Sequence, residues 1–202
     1  MKKEYVLGIL LFSGLWGLSE ALLGGALYKA QFPYASVPLT LIAFAILTIA
    51  RIYLPKKGTA TAIALCAMLY KFLNEPFFAC HLLGIAMVGI CYDIFFAFIQ
   101  TKNKSVSAFS AALVNYVLFA FMMTYVTNNG FWNTTKLTGH IFEGLFTAVG
   151  CAIIVPVIIQ IGSLVKNRID KSFGVQWNPA TGMALLSAFG LWAFSIAEYL
   201  QH

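Results

Sequence analysis

Residues 37–73 read VPLTLIAFAILTIARIYLPKKGTATAIALCAMLYKFL: an apolar run, a short basic stretch with Arg51, Lys56 and Lys57, and a second apolar run. A membrane-spanning helix takes roughly 20 mostly apolar residues. Lys and Arg that flank such helices collect on the cytoplasmic side. The stretch therefore predicts two spanning helices joined by a cytoplasmic turn. The pattern extends in both directions. Ten of the 13 Lys and Arg residues form four clusters: Lys2 and Lys3; Arg51, Lys56 and Lys57; Lys102 and Lys104; Lys166, Arg168 and Lys171. Only Lys29, Lys71 and Lys136 fall toward the other side. With all four clusters cytoplasmic, successive clusters are joined by pairs of spans, and the N-terminus lies inside.

The predicted segments are about 5–27, 37–54, 58–73, 77–99, 106–126 and 139–165, with a further one at about 180–200 after Asn178-Pro179. The fold class expected is an all-α integral membrane protein, a bundle of 6–7 transmembrane helices. Residues 1–202 read as one membrane domain, with a six-helix core at about 5–165 and an additional C-terminal helix. Glu20 interrupts the first apolar run, which is too long for a signal peptide and reads as an uncleaved first helix. Loops are predicted at 51–57, 101–105 and 166–178 inside, and at 28–36, about 74–76 and 127–138 outside.

Composition agrees. Charged residues are 10% of the chain and hydrophobic ones 60%, against about 25% charged in a soluble domain. The net charge of +6 comes from short flanks of apolar segments, which points to anionic lipid and not to nucleic acid. Cys66, Cys80, Cys91 and Cys151 all lie in apolar segments without a CxxC spacing, so no disulfide framework is expected. No phosphate-binding loop or dinucleotide fingerprint occurs, so uphill transport would draw its energy from a partner or an ion gradient.

Charge inside a membrane marks protein interiors and water-filled cavities. Glu20, Lys71, Glu75, His81, His140 and Glu143 all map to the outer leaflet, whereas Asp93 alone maps to the inner half. An outward-facing pocket between the first, third, fourth and sixth segments would gather the outer group. His140 and Glu143 are three apart and share a helix face. Glu143 in a first turn also suits the helix dipole. Asp93 is expected to pair with a neighbouring helix or a partner subunit. Tyr34 and Trp132 belong to an aromatic set at the outer end that serves as an interface belt or stacks on a ligand. The loop Gln31-Phe-Pro-Tyr-Ala-Ser-Val-Pro38 is a candidate lid. Glu20, His81, His140 and Glu143 would suit a transition metal, but no HExxH or other diagnostic spacing is present, and no cofactor is expected. Ser13, Gly17, Ala21 and Gly25 form a ladder of small residues spaced by four, suited to close helix packing within the chain or against a separate subunit.

Taken together, these features resemble an integral-membrane substrate-binding (S) component of an energy-coupling factor (ECF) transporter over residues 5–165. The resemblance rests on the small size, the cytoplasmic N-terminus, the small-residue ladder of the first helix, the Pro33-to-Pro38 loop, and the outer polar and aromatic residues. It implies a non-enzymatic subunit of a prokaryotic plasma (inner) membrane that captures a micronutrient, with a membrane coupling subunit and ATPase subunits as partners. It implies docking of the coupling subunit at Gly17, Ala21 and Gly25. Substrate contacts are expected from Glu20, Tyr34, Glu75, His81, Trp132, His140 and Glu143. Two departures matter. The seventh segment is extra to the six-helix plan, and the N-terminal metal-binding His of the cobalt and nickel members is missing. A vitamin-like or other small organic solute is the expected cargo. The competing readings are a membrane metalloenzyme or metal permease, a stand-alone secondary carrier, and a structural subunit. Glu20→Ala is expected to weaken binding with little loss of fold, and Gly17→Leu to block assembly alone.

Overall fold

A computed structural model describes residues 3–32, 34–73, 79–126 and 137–173. All regular structure in these residues is helical. Helix α1 covers Lys3–Lys29 and α2 covers Ser36–Tyr53. Helix α3, Thr59–Ala67, tightens into a 3-10 segment at Met68–Leu73. Helix α4, Ala79–Asp93, widens into a π-helical segment at Ile94–Ile99. Helix α5, Lys104–Phe121, does the same at Met122–Val126. Helix α6 runs from Leu137 to Phe173.

Among the described residues, five stretches are long and apolar enough to cross a membrane: Tyr5–Leu27, Ser36–Tyr53, Cys80–Ile99, Lys104–Tyr125 and Thr138–Arg168. The apolar stretch in α3, Thr59–Tyr70, is shorter. At 1.5 Å per α-helical and 2.0 Å per 3-10 residue, α3 with its 3-10 extension reaches about 25 Å, short of a bilayer core of about 30 Å. Two boundaries differ from the sequence reading. Helix α6 continues into the predicted loop at 166–178 as far as Phe173, because Lys166–Phe173 contains no Gly or Pro and the next breaker is Gly174. Helix α5 starts at Lys104 because Asn103 caps it: its side-chain oxygen accepts the Ser105 N–H at 2.9 Å and the Val106 N–H at 3.4 Å. The predicted segment at 180–200 lies outside the described residues.

The helices pack in a closed ring: α1 on α2, α2 on α6, α6 on α5, α5 on α4, α4 on α3, and α3 back on α1. Trp16, Phe44, Leu47, Ile63, Tyr92 and Val155 fill the centre. The outside is as apolar as the inside. On α6, Phe142, Phe146, Ile153, Ile161 and Leu164 are all exposed. A soluble protein rarely shows so continuous an apolar surface. In lipid it carries no penalty, and helix association depends on close packing.

Small residues provide that packing. Ala108, Ala111 and Ala112 of α5 and Ala148 and Cys151 of α6 are fully buried. At Gly89 of α4, a Cβ would stand 2.8 Å from the Ala60 carbonyl oxygen and collide with the Ala64 methyl, so α3 and α4 meet backbone to backbone there. Gly17 plays the same part between α1 and the 3-10 segment. Its Cβ would run into the Tyr70 ring and lie 2.7 Å from Tyr70 Cβ. That rung of the ladder is therefore used inside the chain, while Gly25 has open space around it. The Gly17 contact changes the expected result of Gly17→Leu. The variant should lose about 1–3 kcal/mol of stability by overpacking, read as a lower denaturation midpoint in detergent. An unchanged midpoint would place Tyr70 elsewhere.

Asp93, 2% exposed, has its partner within the chain. Its Oδ2 accepts the backbone N–H and the hydroxyl of Thr61, both at 2.8 Å. Thr61 is the third residue of α3, where backbone N–H groups have no intrahelical acceptor. Asp93 therefore caps α3 from α4, with its charge at the positive end of the helix dipole. Next to it, Arg51 donates to the Phe96 carbonyl at 2.6 Å, within the π-helical segment. The Tyr92 hydroxyl donates to Thr48 at 3.1 Å.

Candidate functional site

Three elements meet at one end of the bundle, the end predicted to face outward: the start of α2, the middle of α5 and the first turns of α6. His140 and Glu143 face the same way on α6, as their spacing requires. The Glu143 carboxylate takes two hydroxyl donors. Ser36, the first residue of α2, donates to Oε1. Tyr116 of α5 donates to Oε2 at 3.1 Å. The Tyr116 oxygen also lies 3.4 Å from His140 Nδ1. A phenol has one proton to give. If it goes to Glu143, the His140 contact requires the Nδ1–H tautomer. The result is a directional chain, His140 to Tyr116 to Glu143, with Ser36 closing it from the loop side.

Local sequence explains why Tyr116 can reach. A Cβ on Gly144 would sit 2.9 Å from Tyr116 Cγ, so the missing side chain lets the ring lie flat on α6 beside Glu143. Thr147 donates to the Glu143 carbonyl at 2.8 Å and adds a bond within the helix. On the loop side, Tyr34 stands with its ring centroid 6.2 Å from that of Phe142, which stacks in turn on Phe146 at 5.9 Å. Tyr34 has φ 57° and Gln31 φ 50°. Left-handed backbone is an outlier for a ring-bearing residue and costs on the order of 1–3 kcal/mol. Two non-glycine residues with left-handed backbone within four positions mark the loop entering α2 as held in an unfavourable shape.

Among the described residues no Lys or Arg pairs with Glu143. A half-exposed carboxylate among hydroxyls and aromatic faces is suited to a ligand that brings hydrogen-bond donors and a flat apolar surface.

The predicted residues divide as follows. Tyr34, His140 and Glu143 come together. Glu20 lies elsewhere, on α1, which α2 separates from α6 in the ring. It is 8% exposed, and its Oε1 accepts the indole N–H of Trp16 at 3.4 Å. Trp16 is 1% exposed, so removing Glu20 takes an acceptor from a buried donor. That revises the expectation that Glu20→Ala spares the fold. His81 is half-buried on α4. Glu75 and Trp132 lie outside the described residues. The cluster thus joins α2, α5 and α6, whereas the sequence reading placed the pocket between the first, third, fourth and sixth segments. Among the described residues no group of three His, Cys, Asp or Glu could hold a metal ion. Glu20, His81, His140 and Glu143 do not form a ligand set. The four cysteines are free. Ser36 and Tyr116 were not expected. Ser36 was visible only as part of the lid loop. Tyr116, in mid-helix, reads from sequence as an ordinary apolar-segment aromatic.

Comparison with protein-family models, curated proteins and solved structures finds no match to this chain.

Proposed function

We propose that this chain is the membrane-embedded substrate-binding component of an ECF-type uptake transporter for a small, vitamin-like solute. The observation that carries the reading is the Ser36–Glu143–Tyr116–His140 cluster beside a loop with two left-handed residues, at the end that the basic clusters predict to be outside. A binding subunit needs a preorganised polar site on the outside and a loop that can cover it. The absence of a phosphate-binding motif fits a subunit energised by separate ATPases. The proposed topology has a cytoplasmic N-terminus and six spans, α3 with its 3-10 extension among them, plus the segment at 180–200 as a seventh. The basic clusters support that orientation. The membrane would be a prokaryotic plasma membrane. Gly25, with open space around it, is the rung of the α1 ladder best suited to a coupling subunit.

The test is mass spectrometry, native then denaturing, of the protein purified gently from its own cells. A bound organic solute, or co-purifying ATPase and coupling subunits, is the expected result. Solute uptake by the isolated protein in liposomes would replace this reading with a stand-alone carrier. A stoichiometric metal would replace it with a metal permease or metalloenzyme.

A further inference from the structure

The inner rim carries cations that are held in place. Lys56 Nζ lies 4.5 Å from the centroid of the Tyr5 ring, Lys57 Nζ lies 5.3 Å from that of Phe98, and Lys166 Nζ lies 5.6 Å from that of Tyr53. Lys166 also donates to the Ile52 carbonyl at 3.0 Å. The three rings belong to the start of α1, the π-helical segment after α4 and the end of α2, so the cations are distributed around the rim. The acids on that side are Glu4, Asp93 and Asp170, and Asp93 is engaged with Thr61.

We propose that Lys56, Lys57 and Lys166 form binding sites for the phosphodiester headgroups of anionic lipids in the inner leaflet. Three arguments support this. A lysine standing on a ring face keeps its N–H donors, because a cation–π contact is electrostatic and uses no lone pair. It has also lost part of its side-chain freedom, so less is lost when a phosphate arrives. Finally, apolar surface adjoins the cations. Phe98 is 62% exposed beside Lys57, and Leu164 is 60% exposed two residues from Lys166. A phosphate carrying acyl chains satisfies both surfaces, and a free phosphate only one. This inference does not depend on the transported solute.

The experiment reconstitutes the full chain in nanodiscs of equal phosphatidylglycerol and phosphatidylcholine. Native mass spectrometry then reads the lipids retained on ejection. Phosphatidylglycerol should be enriched on the order of fivefold, the weight of one lysine near an anionic surface. The triple variant K56Q/K57Q/K166Q should return the ratio toward one. Lys29→Gln, at the outer end of α1, should leave it unchanged. Should the triple variant fail to fold, each single replacement should lower the enrichment by about half. No enrichment in the unmodified protein would overturn the proposal, as would an equal loss from Lys29→Gln. Displacement of the lipid by millimolar inorganic phosphate would show that the site reads phosphate alone and overturn the lipid assignment.

Discussion

Replacing Asp93 with Ala should lower the stability of this protein by about 2–4 kcal/mol, a large share of what a folded domain possesses. The carboxylate accepts two hydrogen bonds from Thr61 at 2.8 Å, and alanine leaves the partly buried Thr61 amide without an acceptor and its hydroxyl with only the Gly89 carbonyl at 3.4 Å. The unsatisfied amide costs about 1–3 kcal/mol, and the carboxylate's favourable position at the start of α3 is lost as well. Asp93→Asn keeps an acceptor oxygen for Thr61 but loses the charge and puts an NH2 group where the buried Oδ1 has no hydrogen-bond partner, so it should cost less than alanine without restoring full stability. The check is a denaturant titration in detergent, with hydrogen exchange at the Thr61 amide. Faster exchange at Thr61 in the alanine variant, with slower exchange restored by asparagine, is the expected signature. A stability loss with Thr61 exchange unchanged would show that Asp93 acts elsewhere.

Asp93 also shows where sequence reasoning stops. Its cost in a membrane could be read directly, and so could the need for a partner. The partner could not, because Thr61 lies 32 residues away on a helix whose place in the ring is a tertiary fact. The apolar runs were legible for the opposite reason. Hydropathy is local, so the stretches that became α1, α2, α4, α5 and α6 stand out without knowledge of packing. Helix ends were legible only in part. The Asn103 cap that starts α5 is a recognised signal, yet the apolar run begins later and drew the boundary to Val106. The basic stretch at 166–173 looked like a loop because it is charged, although nothing in it breaks a helix.

The candidate site divides along the same line. His140 and Glu143 could be paired from their spacing alone. Glu20 stood out because of its depth, but depth does not tell a ligand-facing carboxylate from one that accepts a buried indole. Tyr116 carried no local signal. Its role depends on Gly144, and that relation exists only once α5 lies against α6. A small residue in one segment and a large polar aromatic in another become informative as a pair.

The largest functional effect is expected at Glu143. On the proposed solute-binding function, Glu143→Ala should reduce the solute retained per molecule of purified protein by about 10–100-fold, because a charge-assisted hydrogen bond is worth about 1.5–3 kcal/mol. The fold should survive. The side chain is half-exposed, and its two donors, the Ser36 and Tyr116 hydroxyls, make exposed or partly exposed contacts near the end of the bundle. Glu143→Gln keeps an acceptor without the charge, so its loss should be intermediate. Tyr116→Phe keeps the ring that packs on Gly144 and removes only the hydroxyl, so it separates the hydrogen-bonded chain from the packing beneath it. Mass spectrometry of extracted ligand, normalised to protein that migrates as a single species in size exclusion, gives the measurement. Full retention of solute by Glu143→Ala would remove the cluster from the binding site. Loss of solute in Glu143→Ala with full retention in Tyr116→Phe would leave the carboxylate as the recognition group and reduce Tyr116 to support.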